Sequence, residues 1–95
     1  MADRLDDAAI DAALADLPGW SRDGDAIAAE FRFADFTEAF GFLARMAVVS
    51  EAMDHHPEWT NVWNKVSVRM STHDAGGITD LDVAWARRAG TAGLV

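Results

Sequence analysis

An apolar helical pattern that runs from Phe36 to Met53 and then meets Asp54-His55-His56-Pro57 sets the architecture of this chain. Two apolar lines run along it. Phe36, Phe40, Leu43 and Ala47 form one; Phe42, Met46, Val49 and Met53 form the other. A helix needs one such stripe to cover a sheet, so the spare one is expected to be a surface for another subunit. Asp35 suits the N-cap, with Glu38 at the capping-box position. Pro57 disfavours α backbone at His56, so the helix is expected to stop at about His55 or His56.

The flanking segments arrange themselves around that helix. Leu5 to Leu17 reads as a short amphipathic helix, with Ile10, Leu14 and Leu17 at helical spacing and Pro18-Gly19 as its stop. Trp20–Arg22 and Ala26–Phe33 flank Asp23-Gly24, a hairpin signal. Ile27, Ala29, Phe31 and Phe33 share one face of the second strand, which suits a sheet covered on one side. Trp59–Trp63 and Val66–Thr72 read as two further strands around Asn64-Lys65. Thr79, with Asp82 three residues on, caps a last helix that buries Leu81, Ala84 and Trp85 and ends near Gly90. The expected fold is α+β: a four-stranded antiparallel sheet with three helices on one face, in the order α-β-β-α-β-β-α. Residues 1–95 then form a single domain.

Composition narrows the function. The chain of 95 residues has no cysteine, which removes disulfides, thiol catalysis and cysteine-based zinc sites. A net charge of −8 argues against nucleic acid, because phosphate contacts need clustered Lys and Arg. Glu38, Arg45 and Glu51 interrupt the longest apolar run, so no membrane span is expected. The acidic start lacks the regions of a signal peptide, and a cytoplasmic location is the default expectation.

Chemistry concentrates on the three histidines of the chain. His55 and His56 are adjacent and pinned by Pro57; His73 stands just past a strand. If the last two strands pair as a hairpin, the entrance of one lies beside the exit of the other. That pairing brings His73 to His55 and His56. Imidazoles exchange protons near neutral pH, so three around one cleft suit general acid–base work. Glu51 lies one helical turn before His55, where it can orient that ring, and Asp54 stands beside both imidazoles. Zinc is the rival use, with Asp54 or Asp82 as the fourth ligand, but adjacent histidines at a helix end rarely converge on one ion. Neither a nucleophile elbow nor a phosphate-cradling glycine loop is present. Trp59 and Trp63 share a strand face, so one can pack while the other lines the cleft.

The run Glu51-xxx-His55-His56-Pro57, the aromatic Trp63, Thr72-His73 with a glycine after it, and Asp82 opening the last helix resemble the signature of the pterin-4a-carbinolamine dehydratases. The likeness extends to Gly19-Trp20, Phe33-xx-Phe36, Ala39-Phe40-Gly41-Phe42 and Asn61–Val66. Trp63 stands where many members have Tyr, and Thr60 replaces a larger residue. The resemblance implies an α+β fold and a hydro-lyase that eliminates water from a 4a-hydroxytetrahydropterin, giving quinonoid dihydropterin, with neither metal nor organic cofactor. It implies His55, His56 and His73 as the catalytic groups and the pterin against His55–Pro57 and Thr72–Ala75, Asp74 included. Glu51, Asp54, Trp59 and Asp82 would support them. It implies homodimers or homotetramers, and an aromatic-amino-acid hydroxylase as a possible partner in tetrahydropterin recycling. The other reading it carries is a protein-interaction module that promotes dimerisation of a transcription factor, with the pterin site vestigial.

Overall fold

A computed structural model describes residues 2–90; Met1 and residues 91–95, the ends of the expected domain, lie outside the described part. The element order is α1 (Asp7–Ala15), β1 (Ser21–Asp23), β2 (Ala26–Arg32), α2 (Phe36–Met53), β3 (Glu58–Val62), β4 (Lys65–Met70) and α3 (Asp80–Ala89), with a 3₁₀ turn at His73–Ala75. The strands form one antiparallel sheet in the order β1-β2-β4-β3. Three helices and four strands follow in the expected order.

Alternation sorts the sheet faces. Ile27, Ala29 and Phe31 of β2 and Val66, Val68 and Met70 of β4 are buried in one cluster with Ile10 of α1, Phe42, Met46 and Val49 of α2, and Val83 and Trp85 of α3. All three helices therefore cover the same face. Burying a side chain such as Phe31 or Met46 stabilises by roughly 1.5–3 kcal/mol. The other face carries Glu30, Lys65 and Arg69, with Arg69 reaching Asp23 and Glu58 in half-exposed ion pairs. Such pairs shape the surface and add little stability.

Of the two lines on α2, the one through Phe42, Met46 and Val49 faces the core, while Phe36 and Phe40 remain 51% and 58% exposed. Several boundaries differ from the sequence reading. α1 starts at Asp7 because Asp6 caps it, and Leu5 instead donates its N–H to the carbonyl of Ile78. The first hairpin turns at Gly24-Asp25 and the second at Trp63-Asn64, since Asp23 pairs with Ala26 and Val62 with Lys65. Side-chain amides fix that second turn: Asn61 donates to the carbonyls of Trp63 and Lys65, and Asn64 to that of Phe33. The buried stripe of α3 is Asp82, Val83, Trp85, Ala86 and Ala89, with Leu81 and Ala84 only partly covered. The helix is rotated toward its polar anchor at Asp82, described next.

Candidate active site

The site begins with the way α2 ends. Pro57 acts only on His56, and the helix stops earlier, at Met53, because Asp54 takes a left-handed conformation (φ 51°). Asp54 donates its N–H to the carbonyls of Ser50 and Glu51, and His55 donates its own to Ser50, a Schellman-type closure. Both histidines thus leave from the turn and not from the helix. They point apart. His55 is buried, with Nε2 2.6 Å from Oδ1 of Asp82; His56 is exposed, with Nε2 3.0 Å from Oε1 of Glu51.

β3 and β4 bring the third imidazole. Glu58 pairs with Arg69, so the His55–Pro57 segment enters the sheet beside the point where Met70 leaves it. Thr72 and Gly77 then bridge each other and close the loop between them; within it Gly76 adopts φ 71°, a conformation that costs glycine nothing. At Gly77 a Cβ would stand 2.6 Å from Cδ of Arg4, an exposed and flexible side chain that would have to move aside. The loop presents His73 and Asp74 to solvent beside the other two histidines. Asp54, His55, His56, Ser71, Thr72, His73, Asp74 and Leu81 line one hollow of about 250 Å³.

Beneath the hollow lies a polar network with no exposed member. Asp82 is fully buried; Oδ2 accepts from the Thr72 hydroxyl and the Thr79 N–H, both at 2.9 Å, while Oδ1 meets His55. It serves as helix cap and histidine anchor together. Ser50, also buried, accepts from the Trp85 indole N–H at 2.8 Å and donates to the carbonyl of Met46, which ties α3 to the turn that carries His55. A buried polar side chain needs such partners.

The expected site residues divide. The structure brings His55, His56, His73, Asp54, Thr72 and Asp74 to the hollow, and Glu51 and Asp82 reach it through hydrogen bonds to histidine. Pro57, Trp59 and Ala75 are not among the lining residues. Trp59 leans edge-on against Trp85 at 6.2 Å, and Trp63 is 65% exposed at the hairpin tip. The sequence reading gave no site role to Ser50, Ser71, Thr79 or Leu81. Ser50 could have been found as a hydroxyl within the apolar line Met46-Val49-Met53. A larger groove of about 700 Å³ crosses the open face of the sheet, but its charged groups are Glu30, Glu58 and Arg69, and no histidine reaches it. Among the described residues, no three His, Asp or Glu side chains are grouped to hold a metal ion, and no helix is long and apolar enough to cross a membrane.

Comparison with known proteins bears on the same residues. The family model for pterin 4 alpha carbinolamine dehydratase matches residues 3–92. A protein of Nitrobacter winogradskyi whose name carries the words pterin-4-alpha-carbinolamine dehydratase is 53% identical over 85 residues, covering 87% of this chain and 84% of its own. One from Rhodopseudomonas palustris, named in the same words, is 54% identical over 89 residues, covering 92% and 88%. A crystal structure from Brucella melitensis, described as a transcriptional coactivator/pterin dehydratase, superposes with a TM-score of 0.92 at 41% identity, over 96% of this chain and 99% of the other. The fold, the three grouped histidines and these matches agree: the chain belongs to the pterin 4 alpha carbinolamine dehydratase family.

Proposed function

We propose that this protein is a hydro-lyase that eliminates water from 4a-hydroxytetrahydropterin and releases quinonoid dihydropterin. The observation that supports it is the meeting of His55, His56 and His73 around one open hollow, with His55 anchored from behind by Asp82. The reaction breaks the bond from C4a to its hydroxyl oxygen and forms a double bond from C4a to the adjacent ring nitrogen. One proton must reach the departing oxygen, which leaves as water, and one must leave that nitrogen. Imidazoles do both at neutral pH. His55 and His56 supply acid and base, and His73, on its loop, positions or protonates the leaving hydroxyl. Asp54, Thr72 and Asp74 border the bound pterin. Glu51 orients His56, not His55 as the helical spacing had indicated.

A cytoplasmic setting, a recycling role beside an aromatic-amino-acid hydroxylase, and a single domain spanning 1–95 go with this reading. Self-association through the outward line of α2 goes with it too, supported by the exposure of Phe36, Phe40 and Val48. The Brucella structure carries a coactivator description as well, so an interaction role is the second reading. The presence of all three histidines around one open hollow favours the enzyme.

Ultraviolet-monitored loss of the carbinolamine, with and without the protein and again with a chelator, tests the proposal. Acceleration that survives the chelator is expected. A rate equal to the spontaneous one sinks it.

A further inference from the structure

The direction of each hydrogen bond under the hollow can be worked out by counting protons. The Thr72 hydroxyl donates its one hydrogen to Oδ2 of Asp82. The Thr72 and Thr79 hydroxyl oxygens are 2.7 Å apart, so in that contact Thr79 must be the donor. Thr79 in turn accepts from the Leu81 N–H at 3.2 Å. The chain therefore runs one way: Leu81 N–H to Thr79, Thr79 to Thr72, Thr72 to Asp82. With the Thr79 N–H also on Oδ2, Asp82 as a carboxylate accepts all these donors. Its remaining oxygen, Oδ1, then needs a donor, and among the described residues only Nε2 of His55 faces it. Nδ1 of His55 has no hydrogen-bond partner among the described residues. Among the described residues Trp20 Nε1 is the one fully enclosed side-chain nitrogen or oxygen without a partner, so Nδ1 of His55 is not fully enclosed, and the residue lines the hollow.

We propose that Thr79 and Thr72 are positioning residues: their hydroxyls form a one-way donor chain into Asp82 that holds His55 as the Nε2–H tautomer, so that every proton His55 gives or takes passes through Nδ1. Thr72 thereby acts from beneath the hollow, with its hydroxyl hydrogen directed to Asp82 and not to a ligand. Thr79, fully buried at the start of α3, acts only through its neighbours. The kinetic consequence rests on the dehydratase reading; the tautomer does not.

The test is a long-range proton–nitrogen NMR spectrum of nitrogen-labelled protein with the imidazoles neutral. The three rings are assigned from single His→Gln variants. In the wild type His55 should show a protonated Nε2 and a bare Nδ1. Each valine substitution weakens the donors on Oδ2 and raises the proton affinity of Asp82. Thr72→Val and Thr79→Val should therefore mix in the form with a proton on Oδ1 and His55 protonated at Nδ1, and lower kcat roughly tenfold, with KM within about twofold. Thr72→Ser and Thr79→Ser should restore both. Thr79→Val also removes a helix cap; if it does not fold, Thr72→Val, which leaves the cap in place, carries the test. A wild-type ring protonated on Nδ1 overturns the proposal. So do folded valine variants with unchanged ring signals. A wild type with the expected ring signals and no dehydratase activity would instead sink the functional reading and leave the tautomer standing.

Discussion

His55 and His56 are consecutive residues, each with one ring nitrogen at hydrogen-bond distance from a carboxylate, yet they occupy opposite physical regimes. The His55–Asp82 pair is 9% and 0% exposed at its side chains; the His56–Glu51 pair is 57% and 84% exposed. In the first, Asp82 and the Nε2 side of His55 must be matched within the protein, because an orphaned buried group costs its full desolvation. In the second, water replaces either partner at almost no cost. Contact distance is therefore a poor guide to what a histidine contributes. One ring is held from within the protein, while the other is steered only by an exposed carboxylate that water can replace.

Perturbing the two pairs separately sharpens the contrast. Asp82→Ala should have the largest effect on stability, a loss of about 3–5 kcal/mol in urea denaturation, since it strips His55, Thr72 and the Thr79 N–H of a shared buried acceptor. His55→Ala and His56→Ala should each lower dehydratase turnover on the order of 10²–10⁴-fold. Only the first of these should also destabilise the fold, by about 1–3 kcal/mol, because it leaves Asp82 with a vacant acceptor. Equal losses of stability for the two alanine variants would break the comparison. Trp85→Phe deletes the indole donor to Ser50 and leaves a cavity in the core, and should cost about 2–3 kcal/mol in the same measurement, with turnover lowered less than in either histidine variant. Glu51→Gln should leave the melting temperature unchanged and reduce turnover only a few-fold, checked by calorimetry and steady-state kinetics. A large drop in stability there would mean that the exposed pair is worth more than its surroundings allow.

The parts of the molecule that were legible beforehand are those governed by local rules. Asp35 caps α2 through the Glu38 N–H as its spacing implied, and the alternation Val66-Val68-Met70 does mark the covered face of β4. The convergence of His73 on His55 and His56 was also legible, because hairpin pairing alone brings the two segments together. The end of α2 was not. Pro57 signals a stop, but the left-handed turn at Asp54 forms because the backbone closes on Ser50 and Glu51, which no composition rule specifies. Of Trp59 and Trp63 one was expected to pack and the other to line the cleft; Trp59 packs edge-on against Trp85, since a large apolar ring gains more from the core than from a polar hollow.

From its amino-acid order alone this chain determines its elements, their order along the chain and the identity of its three imidazoles, because periodicity, caps and turn residues act over a few neighbours. Only the tertiary structure decides that Asp82, 27 residues from His55, turns one oxygen to that ring while Thr72 and Thr79 saturate the other. Asp82 reads in sequence as a helix cap and nothing forbids that role. Its second role exists because α3 packs beneath the turn after α2, where water is excluded and each polar atom must find a partner in the protein.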